Sequence, residues 1–89
     1  VKTMNLKLLF FASLREQFGF SQKEIALSRT VKSPEEFLLI MSKESGGEWI
    51  NLFNNKKLYK VAINKDLASW RNLIVEGDEL AIFPPITGG

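Results

Sequence analysis

The chain contains no cysteine and no histidine. The first absence excludes a disulfide framework, a thiolate metal site and a cysteine nucleophile, and it fits a cytoplasmic protein. The second removes the commonest general base and the commonest metal ligand together. Serines stand at positions 13, 21, 28, 33, 42, 45 and 69, with no imidazole to activate them and no Gly-x-Ser-x-Gly elbow around any of them. A self-contained hydrolase or metalloenzyme is therefore disfavoured. Long apolar runs are missing too. Nothing approaches the ~20 residues of a membrane helix, and the first residues lack the basic-then-apolar layout of a secretion signal. No membrane partner is expected. Charge of one sign is scarce, with a net of only +2. The lysines at 56, 57, 60 and 65 read as a solvated face near a turn and a strand. They lack the basic stripe and aromatic platforms of a nucleic-acid domain, so no nucleic-acid partner is expected.

What is present is ordinary for a globular protein: 89 residues, 45% hydrophobic and 25% charged. That length implies one domain over 1–89, able to bury somewhat more than ~60% of its unfolded surface without staples. Val1-Lys2-Thr3 precede Met4 and read as an appended leader, so the fold reading starts at Met4. From there the chain alternates. Met4, Leu6, Leu8 and Phe10 form a core face, while Leu9 and Phe11 make the far end of the opposite face apolar as well. Ser13 and Glu16 have capping-box spacing, and Phe11, Leu14 and Phe18 fall at helical spacing before Gly19. A short helix over Ser13 to Phe18 follows. Lys23 to Ser28 is a second strand through Ile25 and Leu27. Ser33 as N-cap, Pro34 at the first helical position and Glu36 open the main helix, whose core stripe is Phe37, Leu38, Ile40 and Met41. Gly46-Gly47 end it, and Trp49, Ile50, Leu52 and Phe53 suggest a short buried turn or helix. Asn54 to Lys57 turns the chain into a strand over Leu58 to Ile63, with Tyr59, Val61 and Ile63 on one face. After the turn at Asn64-Lys65-Asp66, Leu67-Ala68 begins a brief return strand. Glu76-Gly77-Asp78 turns again into a last strand, Glu79 to Phe83.

That strand runs into Pro84-Pro85-Ile86-Thr87-Gly88-Gly89. Prolines cannot donate to a sheet ladder, so pairing is expected to stop at Pro84 and the chain to leave extended. Gly88 and Gly89 add no bulk, which leaves the Gly89 α-carboxylate as the unhindered reactive group. Frayed termini are common, yet a Gly-Gly ending arises by chance only roughly once in two hundred chains at average glycine usage.

Three stretches together carry a family resemblance: Leu9-Phe10-Phe11-Ala12-Ser13-Leu14-Arg15-Glu16, Glu76-Gly77-Asp78-Glu79, and Phe83-Pro84-Pro85-Ile86-Thr87-Gly88-Gly89. The chain from Met4 onward resembles the small-subunit family of molybdopterin synthase, ubiquitin-like sulfur carriers of molybdenum-cofactor biosynthesis. Ser45 to Lys57 carries no signature of that family. The resemblance implies an α+β, β-grasp fold: a mixed sheet of four to five strands, one main helix, a short helix after strand one, and first and last strands side by side. It implies that Gly89 is adenylated by an E1-like activating enzyme using ATP and Mg, and that sulfur from a persulfide donor of unspecified identity then displaces AMP to leave a C-terminal thiocarboxylate. It further implies that the tail, Pro84, Pro85, Ile86, Thr87 and Gly88, inserts into the large subunit of a heterotetramer of two small and two large subunits. There the sulfur passes to precursor Z, a cyclic pyranopterin monophosphate. The chain itself would bind no cofactor and supply no catalytic side chain. Tail residues 84–89 reach at most about 20 Å at full extension, enough to thread a narrow channel.

Other readings keep the same fold. A thiamin-pathway sulfur carrier is disfavoured by the helix inserted after strand one, and a dedicated protein modifier by the Pro-Pro-Ile-Thr-Gly-Gly ending. A β-grasp interaction module cut from a longer protein would show an open reading frame past Gly89. Strand parity also points to a docking face. With Leu8, Phe10, Leu80 and Ile82 inward, Phe11 and Phe83 lie on the outer face with Ala81, joined by Leu67 from the 64–66 turn. An exposed apolar patch of this kind marks a partner site. The competing expectation is that the short helix folds back and buries Phe11. On the docking reading, Phe83 is mainly exposed and Phe83→Asp costs less than ~1 kcal/mol of stability.

Overall fold

The computed structural model describes residues 2–85. In chain order it contains β1 (Thr3–Phe10), α1 (Ser13–Phe18), β2 (Gln22–Ser28), α2 (Pro34–Glu44), α3 (Glu48–Asn54), a 3-10 turn (Lys56–Leu58), β3 (Lys60–Ile63), β4 (Asp66–Ala68) and β5 (Glu79–Phe83). The strands make one five-stranded sheet in the order β2-β1-β5-β3-β4. β1 pairs antiparallel with β2 and parallel with β5, with Leu8 opposite Leu80 and Phe10 opposite Ile82. The sheet is therefore mixed, with the first and last strands adjacent at its centre, and the fold is a β-grasp.

The period-two pattern of β1 sets the core. Met4, Leu6, Leu8 and Phe10 are all buried, as are Leu80, Ile82 and Val61 on the same side of the neighbouring strands. Phe37 and Leu38 of α2, Leu14 of α1, and Trp49 and Leu52 of α3 close over them. An aromatic cluster fills the end near α1. Phe10 lies 4.4 Å from Phe18, 5.1 Å from Phe20 and 5.9 Å from Trp49, and Trp49 meets Phe37 edge-on at 5.7 Å. Burying each such side chain contributes roughly 1.5–3 kcal/mol, and truncating Phe37 to alanine would cost about 3–5 kcal/mol. Ile40 and Met41 are only half-buried at the edge of this core, and Ile50 is 44% exposed on the outer side of α3.

Several local expectations are corrected. Thr3 is part of the sheet, paired with Ser28, and the Lys2 carbonyl accepts from Arg29 N–H, so the strand begins ahead of Met4. Ser13 is not an N-cap. Ala12 holds that position with φ 52° and ψ −129°, and no side chain caps the helix. The α1 stripe is Leu14 with Phe18 packed against Phe10; Phe11 lies off it. At α2 the Ser33 hydroxyl does accept from Glu36 N–H at 3.2 Å, but the Glu36 carboxylate reaches back to Lys32 N–H at 2.8 Å instead of to Ser33. The third strand starts at Lys60, because Leu58 belongs to the 3-10 turn. β4 exists as a three-residue return strand, joined to β3 by a two-residue turn in which Asn64 and Lys65 both have positive φ.

The segment between β4 and β5 is anchored by Asp78. One carboxylate oxygen accepts from Val75 N–H and the other from Asn64 Nδ2, each at 2.9 Å, while Asn64 Oδ1 accepts from Glu79 N–H at 3.0 Å. Gly77 N–H donates to the Asn5 carbonyl, and Lys7 N–H to that of Asp78. The turn is thus stitched to β1 and to the β3–β4 hairpin, which aims β5 along the centre of the sheet. Ile74 is fully buried beneath it.

Candidate docking face and tail root

The side of the sheet facing away from the helices is divided along its strands. At one end, Lys7 of β1 and Glu79 of β5 pair at 3.8 Å, with Glu24 of β2 opposite Lys7. At the other end the surface is apolar. Leu9, Ala81, Ala62 and Leu67 stand in one row across β1, β5, β3 and β4. Ala62 and Ala81 are each only 5% exposed because their larger neighbours shade them, while Leu67 is 81% exposed. Phe83 continues the face one step further toward the C-terminus, opposite Lys60. The Phe11 and Phe83 rings stack with centroids 4.6 Å apart and planes 10° apart.

These residues border an open trough of about 890 Å³, walled by Phe11, Leu58, Leu67 and Phe83 and closed at the tail root by Pro84 and Pro85. Phe11 and Phe83, singled out from strand parity, and Leu67, singled out from the 64–66 turn, are therefore brought together. Phe11 is 41% exposed. The competing expectation that α1 covers it fails, because α1 turns Leu14 inward instead. Phe83 departs from expectation. It is half-buried by its stack on Phe11, so replacing it costs more folding energy than a mainly exposed residue would. Of the tail, Pro84 and Pro85 lie outside every strand, as the ladder-breaking argument requires. Ile86, Thr87, Gly88 and Gly89 lie outside the described residues.

Leu58, 60% exposed, was missed as part of this face. So were Lys57 and Lys60, which border the trough beside it. For Lys60 the signal was available, because the alternation that sends Val61 and Ile63 one way sends Lys60 and Ala62 the other; Lys57 and Leu58 sit in the 3-10 turn, outside that alternation. The four lysines do not form one solvated face. The Lys56 amine is turned inward to the Glu35 carboxylate at 3.5 Å and lies over the Phe53 ring at 4.2 Å. Lys57 and Lys60 instead leave positive charge around the apolar trough. Among the described residues no cluster of acidic side chains could hold a metal ion, and no helix is long and apolar enough to cross a membrane. The arrangement offers binding, through a shaped apolar surface continuous with the root of a C-terminal extension.

Sheet order, central parallel pair and the apolar outer face at the C-terminal root define a ubiquitin-like β-grasp protein. The chain belongs to the ThiS family, whose model matches residues 8–89. It is 35% identical over 85 residues to the molybdopterin synthase sulfur carrier subunit of Escherichia coli, covering 94% of this chain and 99% of that one. The protein of the same name from Haemophilus influenzae is also 35% identical, with the same coverage. Among solved structures, small archaeal modifier protein 1 of Haloferax volcanii superposes with a TM-score of 0.72 at 20% identity, covering 93% of this chain and 99% of that one. A protein complex of subunits 1 and 2 of the molybdopterin-converting factor of Helicobacter pylori contains a chain with a TM-score of 0.60 at 21% identity, covering 97% and 100%. Likeness at that level speaks for the fold alone.

Proposed function

We propose that this protein is the sulfur carrier of a molybdopterin synthase. The observation that carries the reading is the near-full-length identity to sulfur carrier subunits of that enzyme. The trough at the tail root supports it, because a carrier whose terminus reacts inside other proteins needs a rigid place for them to grip. In this reading the Gly89 carboxylate attacks the α-phosphorus of ATP on an E1-like adenylating enzyme with Mg, and pyrophosphate leaves. A carboxylate is a poor electrophile until its oxygen becomes a good leaving group, and acyl-AMP provides one. A donor persulfide displaces AMP, and reductive cleavage of the resulting acyl disulfide by a thiol leaves a thiocarboxylate on Gly89. The large synthase subunit then docks on Phe11, Leu58, Leu67 and Phe83, and the tail presents its sulfur to precursor Z, the cyclic pyranopterin. The Helicobacter pylori complex of subunits 1 and 2 supports a large-subunit partner of this kind. A heterotetramer of two small and two large subunits is part of the proposal, as is a cytoplasmic location.

The test is intact-mass analysis after incubation with a molybdopterin-pathway adenylating enzyme, ATP, Mg and a persulfide donor. One oxygen replaced by one sulfur, placed on Gly89 by fragmentation, is the expected result. An unmodified mass under conditions that load the Escherichia coli carrier overturns the reading.

A further inference from the structure

Two short helices in this fold begin in the same uncommon backbone conformation. Gly47, before α3, has φ 57° and ψ −131°, and Ala12, before α1, has φ 52° and ψ −129°. This region suits glycine and is strained for any residue with a Cβ. Asn64 and Lys65 also have positive φ, but they do so in a two-residue hairpin turn, where such values are ordinary. At Gly47 the fold follows the rule, although a Cβ there would meet nothing within 4 Å. At Ala12 it breaks the rule, where the same turn could have been made with glycine.

The strain cannot be relaxed locally. Phe11 N–H donates to the Ile82 carbonyl at 3.4 Å, Leu14 N–H to that of Phe11 at 3.2 Å and Arg15 N–H to that of Ala12 at 3.1 Å. Ala12 thus stands between a residue tied to β5 and the first turn of α1. Its surroundings separate it from Gly47. The apolar trough lined by Phe11, Leu58, Leu67 and Phe83 lies on one side of the tail root. A second hollow, lined by Ser13, Glu16, Gln17 and Tyr59, lies on the other. Ala12, Pro84 and Pro85 are the residues common to both. Ala12 is exposed there and Pro84 is half-buried.

We infer that Ala12 is a positioning residue for the C-terminal tail. Its methyl group is held at a strained φ so that it braces Pro84-Pro85 between the two hollows and sets the direction in which the tail leaves the sheet. The inference rests on the sulfur-carrier reading for its consequence, since direction of exit matters only if the terminus must enter another protein's site. Docking and tail presentation are then separable: the trough grips the partner, and Ala12 aims the terminus.

Ala12→Gly removes the brace and the strain together, while Ala12→Ser keeps the Cβ. Three measurements on the full chain decide the matter: the thermal midpoint, the Kd for the adenylating enzyme without ATP, and kcat for adenylation. The glycine variant is expected to melt at the same or a higher temperature, to bind within twofold of the wild type, and to be adenylated with kcat at least fivefold lower. The serine variant should stay within twofold in kcat. A glycine variant with wild-type kcat overturns the inference, and so does one that melts several degrees lower, because the methyl would then serve the fold. If the wild-type chain is not adenylated at all, it is the carrier reading that falls. The brace is then judged by nuclear Overhauser contacts from the Ala12 methyl to the Pro84 or Pro85 ring, whose presence supports it and whose absence overturns it.

Discussion

Leu67→Asp tests the docking face with least disturbance to the fold. Leu67 is 81% exposed on a three-residue edge strand, so its side chain contributes little to folding. The substitution should change stability by no more than about 0.5 kcal/mol, as for other surface sites. Docking is a different matter. Full burial of a leucine side chain is worth roughly 1.5–3 kcal/mol, and about four-fifths of this one is available to a partner. Losing that contact removes roughly 1.2–2.4 kcal/mol, and desolvating an unpaired carboxylate in its place adds to the loss. A total of at least ~2 kcal/mol corresponds to a Kd for the large subunit raised roughly 30-fold. Leu73→Asp is the matched control, since Leu73 is 63% exposed but does not border the trough. Calorimetric titration of both variants against the large subunit, with thermal melts alongside, gives the answer. Equal weakening by both variants would show a non-specific effect of charge, and wild-type affinity in the Leu67 variant would remove this face from the interface.

Phe83→Asp should weaken binding to the large subunit and to the adenylating enzyme by at least ~2 kcal/mol, the scale of an aromatic hot spot. It should also lower stability by about 1–2 kcal/mol in chemical denaturation, because the ring stacked on Phe11 is itself worth roughly 0.5–1.5 kcal/mol. Asp78→Ala should destabilise by roughly 2–3 kcal/mol, since it removes the buried carboxylate that accepts from both Val75 N–H and the Asn64 amide. Amide exchange at Val75 and Glu79 would report that loosening directly, and unchanged protection there would count against the anchoring role. Deleting Gly89 should abolish sulfur loading by intact mass and leave the thermal transition where it was. A melt lower by several degrees would mean that the tail packs on its own domain.

Strand parity made most of this structure readable from its residues. The alternation of Met4, Leu6, Leu8 and Phe10 located the core, and its complement located Phe11. The same argument in β5 placed Ile82 inward and Phe83 outward. The Ser33-Pro34-x-Glu36 pattern marked the start of α2 because hydroxyl capping and a missing proline N–H both suit a first helical turn. Ser13 misled because capping-box spacing says nothing of φ. The chain reverses so tightly after β1 that Ala12 becomes the cap without a side-chain acceptor. The 69–75 stretch stayed unreadable: it lacks periodicity, and its order comes from distant partners. Trp70 Nε1 donates to the Tyr59 carbonyl, Glu35 N–H to that of Trp70, and Ile74 N–H to that of Lys32. Phe83 was placed on the right face with the wrong exposure, since parity assigns a side but cannot see a ring stacking on its neighbour.

The candidate docking face owes its rigidity to the same strands that build the core. Phe10 and Phe11, Ile82 and Phe83, and Val61 and Lys60 are consecutive pairs in which one member packs inward and the other faces the trough. Shifting the outer member would require the inner one to leave a close-packed site. A partner that docks here therefore meets a surface already in its bound shape and loses little conformational freedom in ordering it. Strand pairing stops at Phe83, because Pro84 and Pro85 cannot extend the ladder that fixes the strands. In the proposed function, the boundary between the gripping face and the reactive end falls at the end of β5. On the sulfur-carrier proposal, residues before it set whether a partner binds, and residues after it set whether that partner reaches the terminal carboxylate.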